Sequence, residues 1–137
     1  MSLIAGNLAV VQKLLDSSTM QWGVFGGAAA HFYGNRRPIN DIDIVVQKGQ
    51  LGRVASLLQQ SHKAVQFDGG RILWRGIKIF EDLTIQRDGR TYPLQVDEAM
   101  VAHLVRKPLL GARVLMLCPE DVVAHKLLIY RDRDEGK

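Results

Sequence analysis

The chain of 137 residues holds a single cysteine, Cys118, which excludes an internal disulfide and a cysteine-based zinc site. It has no apolar run of transmembrane length and no signal peptide at its start, so the expectation is a cytoplasmic protein that makes no membrane contact. There are no internal repeats and no low-complexity segments. The formal charge of +4 is not gathered into a Lys/Arg tract. Such a balance suits a phosphate-bearing ligand and is too weak to argue for nucleic acid. The length and an apolar fraction of 47% leave one ordinary globular domain over residues 1–137, large enough for a real core.

Periodicity supplies the elements. Residues 7–16 predict a helix with Leu8, Val11, Leu14 and Leu15 on one face, and 21–25 a short strand that Gly26-Gly27 breaks. A turn or two of helix follows over 28–33, with Gly34 as its stop. Pro38 makes 35–40 a loop. The run DIDIVVQ predicts a strand over 41–47, and 51–61 a helix facing inward through Leu51, Val54, Leu57 and Leu58. Short strands over 63–67, 72–74, 77–80 and 83–86 are separated by Gly-containing turns, with RDGR as a hairpin at 87–90. A helix over 98–106, a strand over 113–117 and a last helix opened by Pro119 complete the chain. Short strands and helices in this order give an α+β or mixed α/β fold with a central sheet.

The stretch VFGGAAAHFYGNRRPINDIDIVV, residues 24–46, carries the chemistry. Strand alternation puts Asp41 and Asp43 on one face. Two ionised carboxylates that close repel unless a cation bridges them. Mg²⁺ or Mn²⁺ suits such a pair, completing its shell with phosphate oxygens. Paired ions can clamp both the attacking and the leaving oxygen of a displacement at phosphorus. Gly26 and Gly27 allow the backbone to approach a ligand, and the helix start after them presents free N–H groups to phosphate. Thirteen residues separate Gly27 from Asp41. Either motif alone is weak, since a glycine pair is usually a turn and an isolated Asp-x-Asp often a solvated cap. Together and in this order they describe a site for a nucleoside triphosphate.

This pattern resembles the nucleotidyltransferases of the DNA polymerase beta type, which carry a Gly-Gly or Gly-Ser turn, a short helix and an Asp/Glu-x-Asp/Glu strand. The spacing is similar to the branch of lincosamide and aminoglycoside nucleotidyltransferases and abortive-infection toxins. Of that branch's Gly-x-x-Arg-x-Thr-x-Asp-x-Asp, the chain matches Gly34, Arg37, Asp41 and Asp43, with Ile39 in place of Thr. The tail PEDVVAHKLLIYRDRDEGK resembles the same branch. The resemblance implies a nucleotidyltransferase fold, a central mixed β-sheet flanked by helices, with a divalent cation on Asp41 and Asp43. It further implies transfer of a nucleoside monophosphate from an NTP to a hydroxyl acceptor, which the sequence leaves open among small molecules, RNA and protein. Arg37 and Lys126 are candidate phosphate contacts, each balanced against an ordinary surface charge. A second subunit could complete the cleft as a homodimer.

Related proteins carry a third acid after an Ile-Lys-Val-like stretch, a place held here by Phe80. Glu81 and Asp82 follow it. Alternation gives Asp82 the face of Lys78 and Phe80, which favours Asp82 as the acceptor-side base, and a bulge could bring either acid in. Asp97 reads as a helix cap. The rival reading is a degenerate nucleotide sensor or toxin–antitoxin partner, which Phe80 favours.

Overall fold

The structure, a computed structural model, describes residues 3–34, 39, 41–82, 85–92, 96, 98–120 and 122. Helix α1 (Leu3–Ser17) turns Leu8, Val11 and Leu15 inward at helical spacing, all with no exposed surface. Strand β1 (Trp22–Phe25) is buried throughout and runs directly into α2 (Gly26–Phe32). Then come β2 (Ile42–Val46), α3 (Leu51–Ser61), β3 (Gln66–Phe67), β4 (Ile72–Trp74), β5 (Ile77–Phe80), β6 (Ile85–Arg87), β7 (Arg90–Tyr92), α4 (Glu98–His103), β8 (Val105–Leu109) and β9 (Ala112–Met116).

Seven strands form one mixed sheet in the order β3-β4-β5-β2-β1-β9-β8, and β6-β7 form a separate hairpin. The β2–β5 and β1–β9 pairs are parallel, the others antiparallel. The α+β class and the central mixed sheet expected from the sequence are therefore present. Among the described residues no helix is long and apolar enough to cross a membrane.

Register divides the sheet into two faces. Val24, Ile44, Ile79 and Ile72 line up across four strands, as do Ile42, Ile77 and Trp74. All are nearly or fully inaccessible, and this face is the core. Full burial of each aliphatic side chain there contributes about 1.5–3 kcal/mol. On the other face one row runs Phe25–Asp43–Lys78–Leu73–Gln66, and a second Gly23–Val45–Phe80. The first row opens from buried Phe25, through half-buried Asp43, Lys78 and Leu73, to exposed Gln66. Asp43 is the one position of β2 that is not buried. The fold thus places a carboxylate on a central strand where the sheet begins to meet solvent.

The structure differs from the sequence reading at three places. The glycine pair does not interrupt the chain between strand and helix; both residues belong to the first turn of α2. The fourth helix ends at His103 rather than running to 106, and the following residues form β8, paired with β9 through a Leu110-Gly111 turn. Cys118, which a sequence reading places as a small buried residue before the last helix, is half-exposed.

Candidate active site

Gly26 adopts φ +67, a left-handed conformation that side chains resist. A Cβ added there would collide with the Asp43 carboxylate oxygen Oδ2 and lie 3.3 Å from its Cβ and Cγ. The backbone at the β1–α2 junction is therefore packed directly on Asp43, an approach only glycine permits. The pairing of Phe25 with Asp43 fixes this contact from the strand side. Helix α2 has seven residues, so it offers the backbone of its first turn rather than a long aligned dipole.

Asp41 lies immediately before β2, anchored by the hydrogen bond from Ile42 N–H to the Gly76 carbonyl at 2.8 Å. Its Oδ2 meets Lys78 Nζ at 3.1 Å. Lys78 is the register partner of Asp43, so its side chain leaves β5 on the Asp43 face and reaches Asp41 from there. Both partners are substantially exposed, at 38% and 42%. Such a pair is worth at most about 1 kcal/mol and yields readily to a stronger competitor. A cleft of about 370 Å³ begins at Asp41 and Lys78 and extends past Leu73 and Gln66 to Arg75.

The two acids after β5 have different surroundings. Glu81 Oε2 accepts hydrogen bonds from the backbone N–H groups of Gly49 (2.9 Å) and Leu51 (3.1 Å). Helix α3 has no side-chain cap of its own, and Glu81 supplies one from across the sheet. Asp82 follows the end of β5 and is exposed. Phe80 occupies the position of the expected acid and packs edge-on against Phe25 at 5.9 Å between ring centroids. Arg37, Lys126 and Asp97 lie outside the described residues. Sequence reasoning missed two members of this neighbourhood, Lys78 and Arg75. The alternation that assigned Lys78 to the face of Phe80 and Asp82 was the available signal for the first.

Among the described residues no group of three acidic, histidine or cysteine side chains could hold a metal ion alone. Two carboxylates beside a glycine backbone fit an ion that arrives with phosphate oxygens as its remaining ligands. Asp41 and Asp43 are the residues that would hold it.

The sequence matches no protein-family profile and no curated protein. Solved structures do match. A candidate nucleotidyltransferase of Thermotoga maritima, TM1012, aligns with a TM-score of 0.65 at 18% identity over 89% of this chain and 81% of that one. The lincosamide antibiotic adenylyltransferase LnuA, solved with lincomycin bound, aligns at 0.58 and 15% identity over 96% and 91%. An antigenic nucleotidyltransferase-like protein of Paracoccidioides brasiliensis aligns at 0.56 and 16% over 97% and 71%. At these identities the likeness is one of architecture: the chain has the nucleotidyltransferase fold.

Proposed function

We propose that this protein transfers a nucleoside monophosphate from a nucleoside triphosphate, with ATP the first donor to test, to the hydroxyl group of an acceptor. The observation that carries the reading is the contact of the Gly26 backbone with the Asp43 carboxylate, beside Asp41, at the solvent-facing end of the central strands. It joins a place for phosphate to a place for the cation that accompanies phosphate. The adenylyltransferase activity named for LnuA, on the same fold, supports the reaction class.

The amides of Gly26 and Gly27 receive the triphosphate, with Arg37 and Lys126 as further phosphate contacts. Asp41 and Asp43 would hold Mg²⁺ or Mn²⁺, which would supply charge neutralisation at the phosphates. Lys78 leaves Asp41 as that carboxylate is engaged. Asp82 accepts the proton of the acceptor hydroxyl. The acceptor's hydroxyl oxygen bonds to the α-phosphorus, the bond from that phosphorus to the bridging oxygen breaks, and pyrophosphate departs. Glu81 is engaged as the cap of α3, which argues against it as the base. Catalysis is then chiefly positioning and charge neutralisation.

A second reading, a nucleotide sensor without transfer, is favoured by Phe80, whose ring packs on Phe25 where an acid would stand. Transfer of labelled nucleotide to a panel of small molecules, RNA and protein from a cell extract separates the two. Asp82→Asn is expected to lower turnover by about 10²–10⁴-fold with NTP affinity retained. A parent protein that binds NTP and labels nothing in any extract contradicts the transferase reading in favour of the sensor.

A further inference from the structure

We propose that the cleft beside Asp41 is the acceptor subsite, and that it selects a small hydroxyl compound bearing a phosphate group. The inference rests on the transferase reading above and specifies its second substrate.

The position follows from register. In the row Phe25–Asp43–Lys78–Leu73–Gln66, Gly26 adjoins the Asp43 end. The cleft occupies the other end, over Lys78, Leu73 and Gln66, and its border includes Asp41. A molecule in it meets Asp41, and approaches the Asp43 row from the end opposite Gly26. That is the geometry an in-line displacement asks of an acceptor facing a bound donor. At about 370 Å³ the cleft has the size of small-molecule sites and is too small for a folded partner.

The charge of the lining sets the class. Among the described residues Asp41 is the only carboxylate on it, and Lys78 and Arg75 are its cations. Asp41 is committed to Lys78 or to a metal, so the side chains left to meet a ligand are net basic. Lys78 is held only by an exposed ion pair, and Arg75 has no carboxylate partner among the described residues. A guanidinium fork together with an ammonium group is a donor set suited to phosphate.

The placement of Arg75 is independent support. It occupies the first central position of the two-residue β4–β5 turn at φ +47, followed by Gly76 at φ +87. Such turns favour Asn, Asp or Gly there, and the β6–β7 hairpin follows the preference with Asp88-Gly89. The less suited arginine is held by a hydrogen bond from Asn7 Nδ2 to its carbonyl at 3.0 Å. Asn7 is the only buried polar residue among those described. The guanidinium lies over the Trp74 ring, 5.9 Å from its centroid. A buried amide thus fixes the backbone of a hairpin tip that carries an arginine to the cleft.

The test is amide NMR of the ¹⁵N-labelled protein, titrated with glycerol 3-phosphate or with glycerol, each with and without Mg²⁺ and a non-hydrolysable ATP analogue. Glycerol 3-phosphate is expected to shift the signals of Gln66, Leu73 and Gly76 with the analogue already bound, and glycerol is expected not to. Arg75→Asn, which suits the turn better than arginine, should keep or raise the melting temperature. It should weaken glycerol 3-phosphate by about tenfold, the scale of one charge-assisted contact. Equal shifts by glycerol, shifts centred on Gly26 instead of the cleft, or affinity unchanged in Arg75→Asn would each overturn the proposal. Failure of the ATP analogue to move Gly26 would refute the donor site, and the cleft result would be read separately from it.

Discussion

Replacing Gly26 with alanine separates the two things that glycine does there. The first is conformational. A Cβ at φ +67 costs about 1–2 kcal/mol in the left-handed region, and this part of the effect appears as lost stability. The second is steric. The new methyl would overlap Asp43 Oδ2, and the flexible end of that side chain is what must move. Turning the carboxylate away removes it from the place where a phosphate-bound cation would need it. Gly89→Ala is the control, because Gly89 has φ +73 and open space around the added atom. Both variants should lose about 1–2 kcal/mol in urea denaturation. Calorimetry should show Mg²⁺–ATP affinity falling by about tenfold or more, equivalent to 1.4 kcal/mol or more, in Gly26→Ala alone. Parental affinity in Gly26→Ala, with the stability loss present, would refute the claim that the contact with Asp43 serves binding.

Glu81→Ala should destabilise the protein by about 1–2 kcal/mol in urea denaturation, because the N–H groups of Gly49 and Leu51 lose a charged acceptor, and should leave Mg²⁺–ATP affinity unchanged. A variant of normal stability would show that α3 does not depend on this cap. Asp16 governs a pH effect away from the site. Burial pushes its pKa up, but hydrogen bonds from Gln12, Arg106 and Trp22 prevail and hold it below the ordinary 3.8. A depressed folded pKa gives stability that is present above the unfolded value and is lost as pH falls through the folded one. The stability advantage of the parent over Asp16→Asn, followed by thermal melts, should therefore be full at neutral pH and shrink as pH falls below about 4. An advantage independent of pH would contradict that account.

What could be read from the sequence was local. The inward faces of α1 and α3, the strands β4 and β5, and the RDGR hairpin follow from spacing and turn residues, and the structure has them. Strand β8 escaped because its signals are ambiguous. Pro108 argues against a central strand, and Leu110-Gly111 lacks the usual Asn or Asp of a tight hairpin. The strand is tolerated because it lies at the sheet edge. The Gly-Gly and Asp-x-Asp motifs were visible, but their contact was not, since nothing in the spacing says that Gly26 packs on Asp43. The cap from Glu81 to α3 and the pair between Lys78 and Asp41 were equally hidden. Each joins residues more than 29 positions apart, and only the pairing of β2 with β5 brings them together. Sequence alternation placed Glu81 and Asp82 on opposite faces; the structure adds what Glu81 holds.

The central claim is that Asp41, Asp43 and Gly26 form a site for a metal-bound nucleoside triphosphate. Calorimetric titration of ATP into the parent protein and Asp43→Asn, each with and without Mg²⁺, tests it most directly. The account predicts binding to the parent that requires Mg²⁺, and its loss in a folded Asp43→Asn variant. Equal affinity with and without Mg²⁺, or undiminished Mg²⁺-dependent binding by Asp43→Asn, would contradict it.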